Sequence, residues 1–164
     1  MGYRFDFLDK SKAKLILPSL FSILHSNMSK IAPTGNTYAE DERIFLDSVA
    51  PALEKAPRQI VLMYNEAGLV GYFQYYVNGE LFMMEEIQLK AECQHSGIFR
   101  DFYCWLLPLL PDGITRVEAY SHKKNTNSQS ILRHLGLEVI EESKTNYHFC
   151  GDFAKLYSHY LEKA

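Results

Sequence analysis

The sequence predicts an α/β (α+β) domain: a mixed, mostly antiparallel central sheet of about seven strands with helices on both faces. Two patterns predict it. Three successive segments of strand character, 59–64, 69–77 and 81–89, are separated only by short turns and make an antiparallel meander. Beyond them the apolar spacing changes from two to 3.6 residues, and a strand–helix–strand unit follows. A meander feeding such a crossover gives a mixed sheet. The 164 residues, 47% hydrophobic and 23% charged, suit one domain over 1–164 that buries its core without disulfide or metal staples.

The elements follow in order. Tyr3, Phe5 and Phe7 alternate with Arg4 and Asp6, a short strand with one wet face. A helix over about 11–29 carries the stripe Leu15, Leu17, Leu20, Phe21 and Leu24, with Ser11 as its expected N-cap. Pro33 and Gly35 mark a loop, and a second helix over about 38–53 opens with Glu40, Asp41 and Glu42 at its positive end. Asn78-Gly79 is the hairpin turn between the second and third meander strands. Ser96-Gly97 opens a helix running through Ile98, Phe102, Trp105 and Leu106 to Leu110. A strand over 114–120, a helix over 126–135 closed by Gly136, strands over 137–142 and 147–150, and a helix capped by Asp152 complete the chain.

Composition excludes several classes. Lys+Arg 17 against Asp+Glu 20 gives a net charge of -3, with neither the basic stripe of a nucleic-acid binder nor a polybasic membrane anchor. Cys93, Cys104 and Cys150 are odd in number and never at C-x-x-C spacing, which points to free thiols rather than a disulfide framework or a zinc site. No apolar run approaches the ~18 residues of a membrane span, and the N-terminus lacks a signal-peptide core. The expectation is a cytoplasmic protein with no metal, no nucleic-acid partner and no membrane partner, either a monomer or a homodimer.

Two stretches resemble the GNAT superfamily of acyl-CoA N-acyltransferases, as does the element order. The run Ile87-Gln-Leu-Lys-Ala-Glu-Cys-Gln-His-Ser-Gly-Ile-Phe-Arg100 looks like the family's strand entering a Q/R-x-x-G-x-G/A loop at a helix start. Gln94 and Gly97 match, whereas Phe99 stands where glycine or alanine is usual. Asn125-Thr-Asn-Ser128, ending at Leu135-Gly-Leu137, looks like the family's N-x-x-A…Y-x-x-L-G-F signature, with Leu132 at the tyrosine position. The resemblance implies the GNAT fold, acetyl-CoA or another acyl-CoA as co-substrate, and an amine acceptor.

Its chemistry is concrete. A helix N-terminus offers amides without intrahelical partners and the positive end of a dipole, both suited to a pyrophosphate. Gln94, His95, Ser96, Gly97, Ile98, Phe99 and Arg100 supply that loop. Gly97 lets the backbone approach a phosphate, and Arg100 adds a charge. The plainer reading makes Ser96 an N-cap and Gly97 a turn residue. The resemblance further implies cofactor contacts from Asn125 and Ser128, and from the backbone at Ile87 and Leu89, whose side chains also read as core.

Acyl transfer needs a base for the attacking amine and an acid for the departing thiolate. Glu85 and Glu86 lie on the strand that lines the family's acceptor cleft, and as neighbours they face opposite sides. Glu86 is the favoured base because Ile87 and Leu89 share a face with Glu85; salt-bridged or edge carboxylates are the alternative. Leucine at 132 cannot donate a proton, so Tyr120 and His122 are candidate acids, with His134 and Tyr147 behind them, each also readable as core or surface. The substitutions at 99 and 132 keep open a second class of function, a catalytically silent acyl-CoA-binding module. An unrelated α/β interaction domain is the third.

Overall fold

A computed structural model describes residues 2–55 and 57–161. Its seven strands, β1 (Arg4–Phe7), β2 (Arg58–Asn65), β3 (Gly68–Asn78), β4 (Leu81–Leu89), β5 (Arg116–His122), β6 (Glu138–Glu142) and β7 (Asn146–Asp152), lie in the order β1-β2-β3-β4-β5-β7-β6. The β4–β5 pair is parallel, while β1–β2, β5–β7 and β6–β7 are antiparallel, so the sheet is mixed as expected. The chain forms two compact units, residues 2–74 with 86–96, and residues 75–85 with 97–161.

In the first unit β1 (Arg4–Phe7) pairs with β2 (Arg58–Asn65), Phe5 opposite Met63. Helix α1 (Ala13–Ile31) is entered through a 3₁₀ turn, Lys10–Lys12. That turn displaces the expected cap: the Asp9 carboxylate, not Ser11, does the capping, accepting from Ser11 N–H at 3.0 Å and Ser11 Oγ at 2.7 Å. Helix α2 (Tyr38–Lys55) begins with a reciprocal capping box. Thr37 N–H donates to Glu40 Oε2 at 2.9 Å, and Glu40 N–H to Thr37 Oγ1 at 3.2 Å. Leu17 and Leu20 of α1 and Val49 and Leu53 of α2 form one apolar cluster with Ile60, Leu62 and Tyr72. The alternate β2 residues, Val61 and Met63, are buried too, so both faces of this strand are covered.

Strand β3 (Gly68–Asn78) belongs to this unit as far as Gln74, and β4 (Leu81–Leu89) from Glu86 on. They approach closely at Gly71. A Cβ there would stand 2.4 Å from the Gln88 carbonyl oxygen and 2.6 Å from Leu89 Cδ2. Lys90 N–H donates to the Val70 carbonyl at 2.8 Å beside it.

In the second unit the first half of β4 runs parallel to β5 (Arg116–His122), from Leu81 opposite Arg116 to Met84 opposite Ala119. The strand starts two residues later than the sequence suggests. Thr115 and Arg116 both donate to the Glu80 carbonyl, at 2.9 and 3.0 Å, so Ile114 and Thr115 serve as its approach. Helix α3 (Ile98–Leu106) ends earlier than expected and tightens into a 3₁₀ turn, Leu107–Leu109, because Pro108 has no N–H to continue the ladder. Helix α4 (Thr126–His134) is closed by Gly136, in the left-handed region. Strands β6 (Glu138–Glu142) and β7 (Asn146–Asp152) pair across a bulge at Val139/Glu141. Asp152 caps α5 (Phe153–Leu161) as expected, its Oδ1 accepting from Ala154 N–H at 3.0 Å.

One polar cluster lies within the β5–β7 ladder. The Glu118 carboxylate accepts from Arg116 Nε at 2.6 Å and bonds His148 Nε2 at 2.6 Å, and the His148 ring stacks on Tyr120 with centroids 4.3 Å apart. Burial works to raise the Glu118 carboxyl, but the bonds from Arg116 and His148 outweigh it and hold the group below its ordinary value.

The Gly71 approach leaves no room for a methyl group. Gly71→Ala is expected to destabilise the protein by about 1–3 kcal/mol, the usual range for overpacking. Chemical denaturation measures this, and an unchanged midpoint would show that β3 can move away from β4.

Candidate functional site

The loop before α3 is shaped by its backbone. Lys90 leads into a 3₁₀ turn, Ala91–Cys93, which the sequence did not signal. Gln94 caps that turn in an extended conformation, and its Nε2 reaches back to the Leu89 carbonyl at 3.3 Å. His95 has φ 62, the only positive value outside glycine among the described residues. The hydroxyl of Ser96 donates to the Cys93 carbonyl at 2.6 Å, so Ser96 closes the turn behind it and does not cap α3.

The N-cap of α3 is Gly97, with φ 83 and no side-chain hydrogen bond to the helix. An L-residue is strained at that φ. A Cβ built there would meet no atom within 4 Å, so the space in front of the residue is open. The first-turn amides of Ile98, Phe99 and Arg100 have no intrahelical acceptors by helix geometry. Ile98 is buried, Phe99 half-buried and Arg100 exposed. An uncapped helix start, an open approach and a cation one turn in form an arrangement able to take an anion.

The second half of β4 carries the candidate base. Glu86 and Gln88 share a face, and Gln88 Nε2 donates to Glu86 Oε1 at 2.6 Å. Gln88 Oε1 accepts from Asn27 Nδ2 of α1 at 3.0 Å, and Asn27 Nδ2 also donates to the Leu89 carbonyl at 2.7 Å. Tyr72 of β3 is buried among the same groups, and its hydroxyl has no hydrogen-bond partner among the described residues. Burial first, and the Glu86 charge second, push that phenol well above its ordinary range. Ile87 is half-buried and Leu89 buried, so the packing role of both side chains is present. Glu85 falls in the other unit, half-buried.

The remaining candidates lie in the second unit. Asn125 is the N-cap of α4, its Oδ1 accepting from Ser128 N–H at 3.1 Å. His122 ends β5 and anchors the turn into α4: its Nδ1 accepts from Lys124 N–H at 3.1 Å, and its carbonyl accepts from Asn125 N–H at 2.9 Å. That bond leaves Nε2 to carry the proton of the neutral ring. Tyr120 is exposed and stacked on His148. The β4–β5 register ends at Met84 opposite Ala119, although β5 continues to His122.

Comparison with solved structures is decisive for the architecture. PaiA N-acetyltransferase from Thermoplasma acidophilum in complex with coenzyme A superposes with a TM-score of 0.72 at 13% identity, over 93% of this chain and 99% of that one. An acetyltransferase from Thermus thermophilus gives 0.71 at 17% identity, over 93% and 97%. The Campylobacter jejuni N-acetyltransferase PseH in complex with acetyl coenzyme A gives 0.58 at 12%, over 92% and 99%. The chain has the GNAT fold. No family model matches the sequence, and no curated protein does.

The two positions at which the sequence differs from the motifs it resembles are Leu132 and Phe99. Leu132 is buried at 8% exposure and supplies apolar packing. The Phe99 ring is half-buried, so the bulk at this position does not project fully into solvent. Asn27 and Gln88 were missed in the sequence, whereas Tyr72 belongs to the tyrosines of the second meander strand (Tyr72, Tyr75, Tyr76) that the sequence offers as a cleft lining with hydroxyls in need of partners. The available signal was a glutamine and two glutamates inside an otherwise apolar strand, each needing a partner.

The open, positive-φ position at Gly97 makes its substitution informative. Gly97→Ala is expected to cost about 1–2 kcal/mol of stability from left-handed strain alone. Gly97→Glu adds a charge in front of the helix start and is expected to remove acetyl-CoA binding, as measured by titration calorimetry. Unchanged affinity in a folded Gly97→Glu protein would put the phosphates elsewhere.

Proposed function

We propose that this protein is an N-acyltransferase that moves an acyl group, acetyl in the simplest case, from acyl-CoA directly to an amine. The observation that carries the reading is the uncapped α3 N-terminus behind Gly97, on a GNAT fold. The CoA pyrophosphate would accept hydrogen bonds from the amides of Ile98, Phe99 and Arg100, with the Arg100 guanidinium adding charge. Gln94, His95 and Ser96 shape the preceding turn. The backbone at Ile87 and Leu89 would hold the pantetheine amides. Asn125 and Ser128 would act by fixing the start of α4.

The reaction joins an amine nitrogen to the thioester carbonyl carbon, breaks the carbon–sulfur bond and releases CoA thiol. Glu86 would take the proton that the amine loses, with Glu85 as the alternative. The thiolate needs a proton in return. His122 and Tyr120 are the candidate donors, His122 only in its protonated form, which would have to break the bond from Lys124 N–H. No covalent acyl-enzyme is required, and none of the three cysteines is assigned a role.

The buried Leu132 supports a second reading, a GNAT-fold module that binds acyl-CoA without turnover. The two separate on free-thiol release over a panel of primary amines, including polyamines and peptide N-termini. Binding itself is tested first. At a hundredfold excess over the dissociation constant, acetyl-CoA is expected to stabilise the protein by about 2.7 kcal/mol. No rise in melting temperature at millimolar acetyl-CoA would end both readings.

If thiol is released, Glu86→Gln is expected to lower turnover by ~10²–10⁴-fold and to remove the acidic limb of the pH–rate profile. Glu85→Gln is expected to have little effect, because the neighbouring side chain faces the other side of the strand. Full rate in the Glu86 variant across pH would remove it as the base.

A further inference from the structure

We infer that the cavity between α1 and α2 is a binding site for a monocationic amine with an apolar body, the Asp41 carboxylate taking the ammonium. Binding does not rest on the transferase reading; acetylation of the bound amine would. The cavity lies wholly within the first unit and measures about 520 Å³. At ~30 Å³ for a water-sized group it holds on the order of 15 non-hydrogen atoms, a small-molecule scale. Phe21, Leu24 and Met28 of α1 and Ile44 and Phe45 of α2 supply its apolar walls. The Phe21 ring packs against those of Phe45, His25 and Tyr38, with centroids 5.3, 5.6 and 5.1 Å away, so the aromatic side is braced before any ligand arrives. Ile44 is left 55% exposed here, apolar surface that a ligand's hydrocarbon would cover.

Charge sets the class of ligand. Among the described residues that line the cavity, Asp41 alone carries a formal charge with histidine neutral. The loop between the helices holds its carboxylate in place. Thr34 Oγ1 donates to Asp41 Oδ2 at 2.6 Å, Asn36 Nδ2 donates to Oδ1 at 3.0 Å, and Asn36 N–H donates to Thr34 Oγ1 at 3.2 Å. The Thr34 bond first, and the Asn36 bond second, hold the Asp41 carboxyl below its ordinary value, so it is ionised throughout the neutral range. A carboxylate has about four acceptor sites, so these two bonds leave capacity for an N–H of the ligand. The positive end of α2 would oppose a cation, but the Glu40 carboxylate already sits on the Thr37 amide and offsets it. One carboxylate among apolar walls does not suit a hard metal ion, which takes about six or more oxygens. A polyamine would set its further ammonium groups against hydrocarbon. The match is one positive charge at the end of an apolar body.

The test is a titration of the full chain with phenylbutylamine, without CoA, followed through the carbon-13 methyl signals of Met28 and Ile44. Both signals are expected to shift saturably at millimolar amine. Phenylbutanol, which keeps the body and lacks the charge, and spermidine, which keeps charge and lacks the apolar body, are each expected to bind about tenfold more weakly. Asp41→Asn is expected to weaken the amine by about tenfold as well. Because that change also disturbs the Thr34 and Asn36 bonds, Ile44→Lys, read at Met28, carries the test should the loop be lost. Lysine suits an exposed helix position, and three residues from Asp41 its ammonium takes the carboxylate in the ligand's place. Absence of a saturable shift, equal affinity for the alcohol, or wild-type affinity in either folded variant overturns the site. Failure of the transferase reading looks different: the amine still binds and Asp41→Asn still weakens it, while acetyl-CoA releases no thiol.

Discussion

The close passage of β3 over β4 at Gly71 is the constraint from which the first unit's polar chemistry follows. With 2.4 Å between a notional Cβ and the Gln88 carbonyl oxygen, the two backbones meet at a distance only glycine permits. That contact fixes Gln88 and Leu89, which in turn fix Asn27 on α1. Two amides and a carboxylate are thereby held beside an apolar cluster that would otherwise disfavour them. Their mutual hydrogen bonds make the burial tolerable. The Tyr72 hydroxyl, next to them and without a partner among the described residues, is the one group in this neighbourhood whose desolvation is left unmatched.

The order of elements was legible because periodicity and turn chemistry are local. Alternation in the meander, the hairpin at Asn78-Gly79, the Gly136 closure and the Asp152 cap all depend on residues within a few positions of one another. Boundaries failed where a distant or competing group intervened. Ser11 lost the capping role because Asp9 bonds both its amide and its hydroxyl. Strand β5 slid by two residues because the Glu80 carbonyl takes the amides of Thr115 and Arg116. The loop before α3 was legible as glycine at a helix start, but the 3₁₀ turn before it was not, and Ser96 turned out to serve that turn. Asn27 and Gln88 are 61 positions apart, and no local pattern links them.

The two motif stretches also show how a signature can persist through its structural half. Asn125 and Ser128 make a helix cap, which any polypeptide of this topology needs at that point. Leu132, which falls at the tyrosine position of the resembled motif, is buried and packs. A cap and a glycine closure are therefore compatible with an active transferase and with a silent one, which is why fold and activity are argued separately.

The Glu118 cluster has a consequence for assembly of the second unit. Val117, Ala119 and Phe149 occupy one side of the β5–β7 ladder, all buried, while Glu118 and His148 occupy the other. Because side chains alternate, sliding β5 by one residue would drive a carboxylate into the aliphatic layer and set valine beside the histidine. The Arg116–Glu118–His148 bonds thus favour this register, since they are lost in a shifted ladder. In a sheet whose closing strands are short and bulged, that discrimination secures a single alignment.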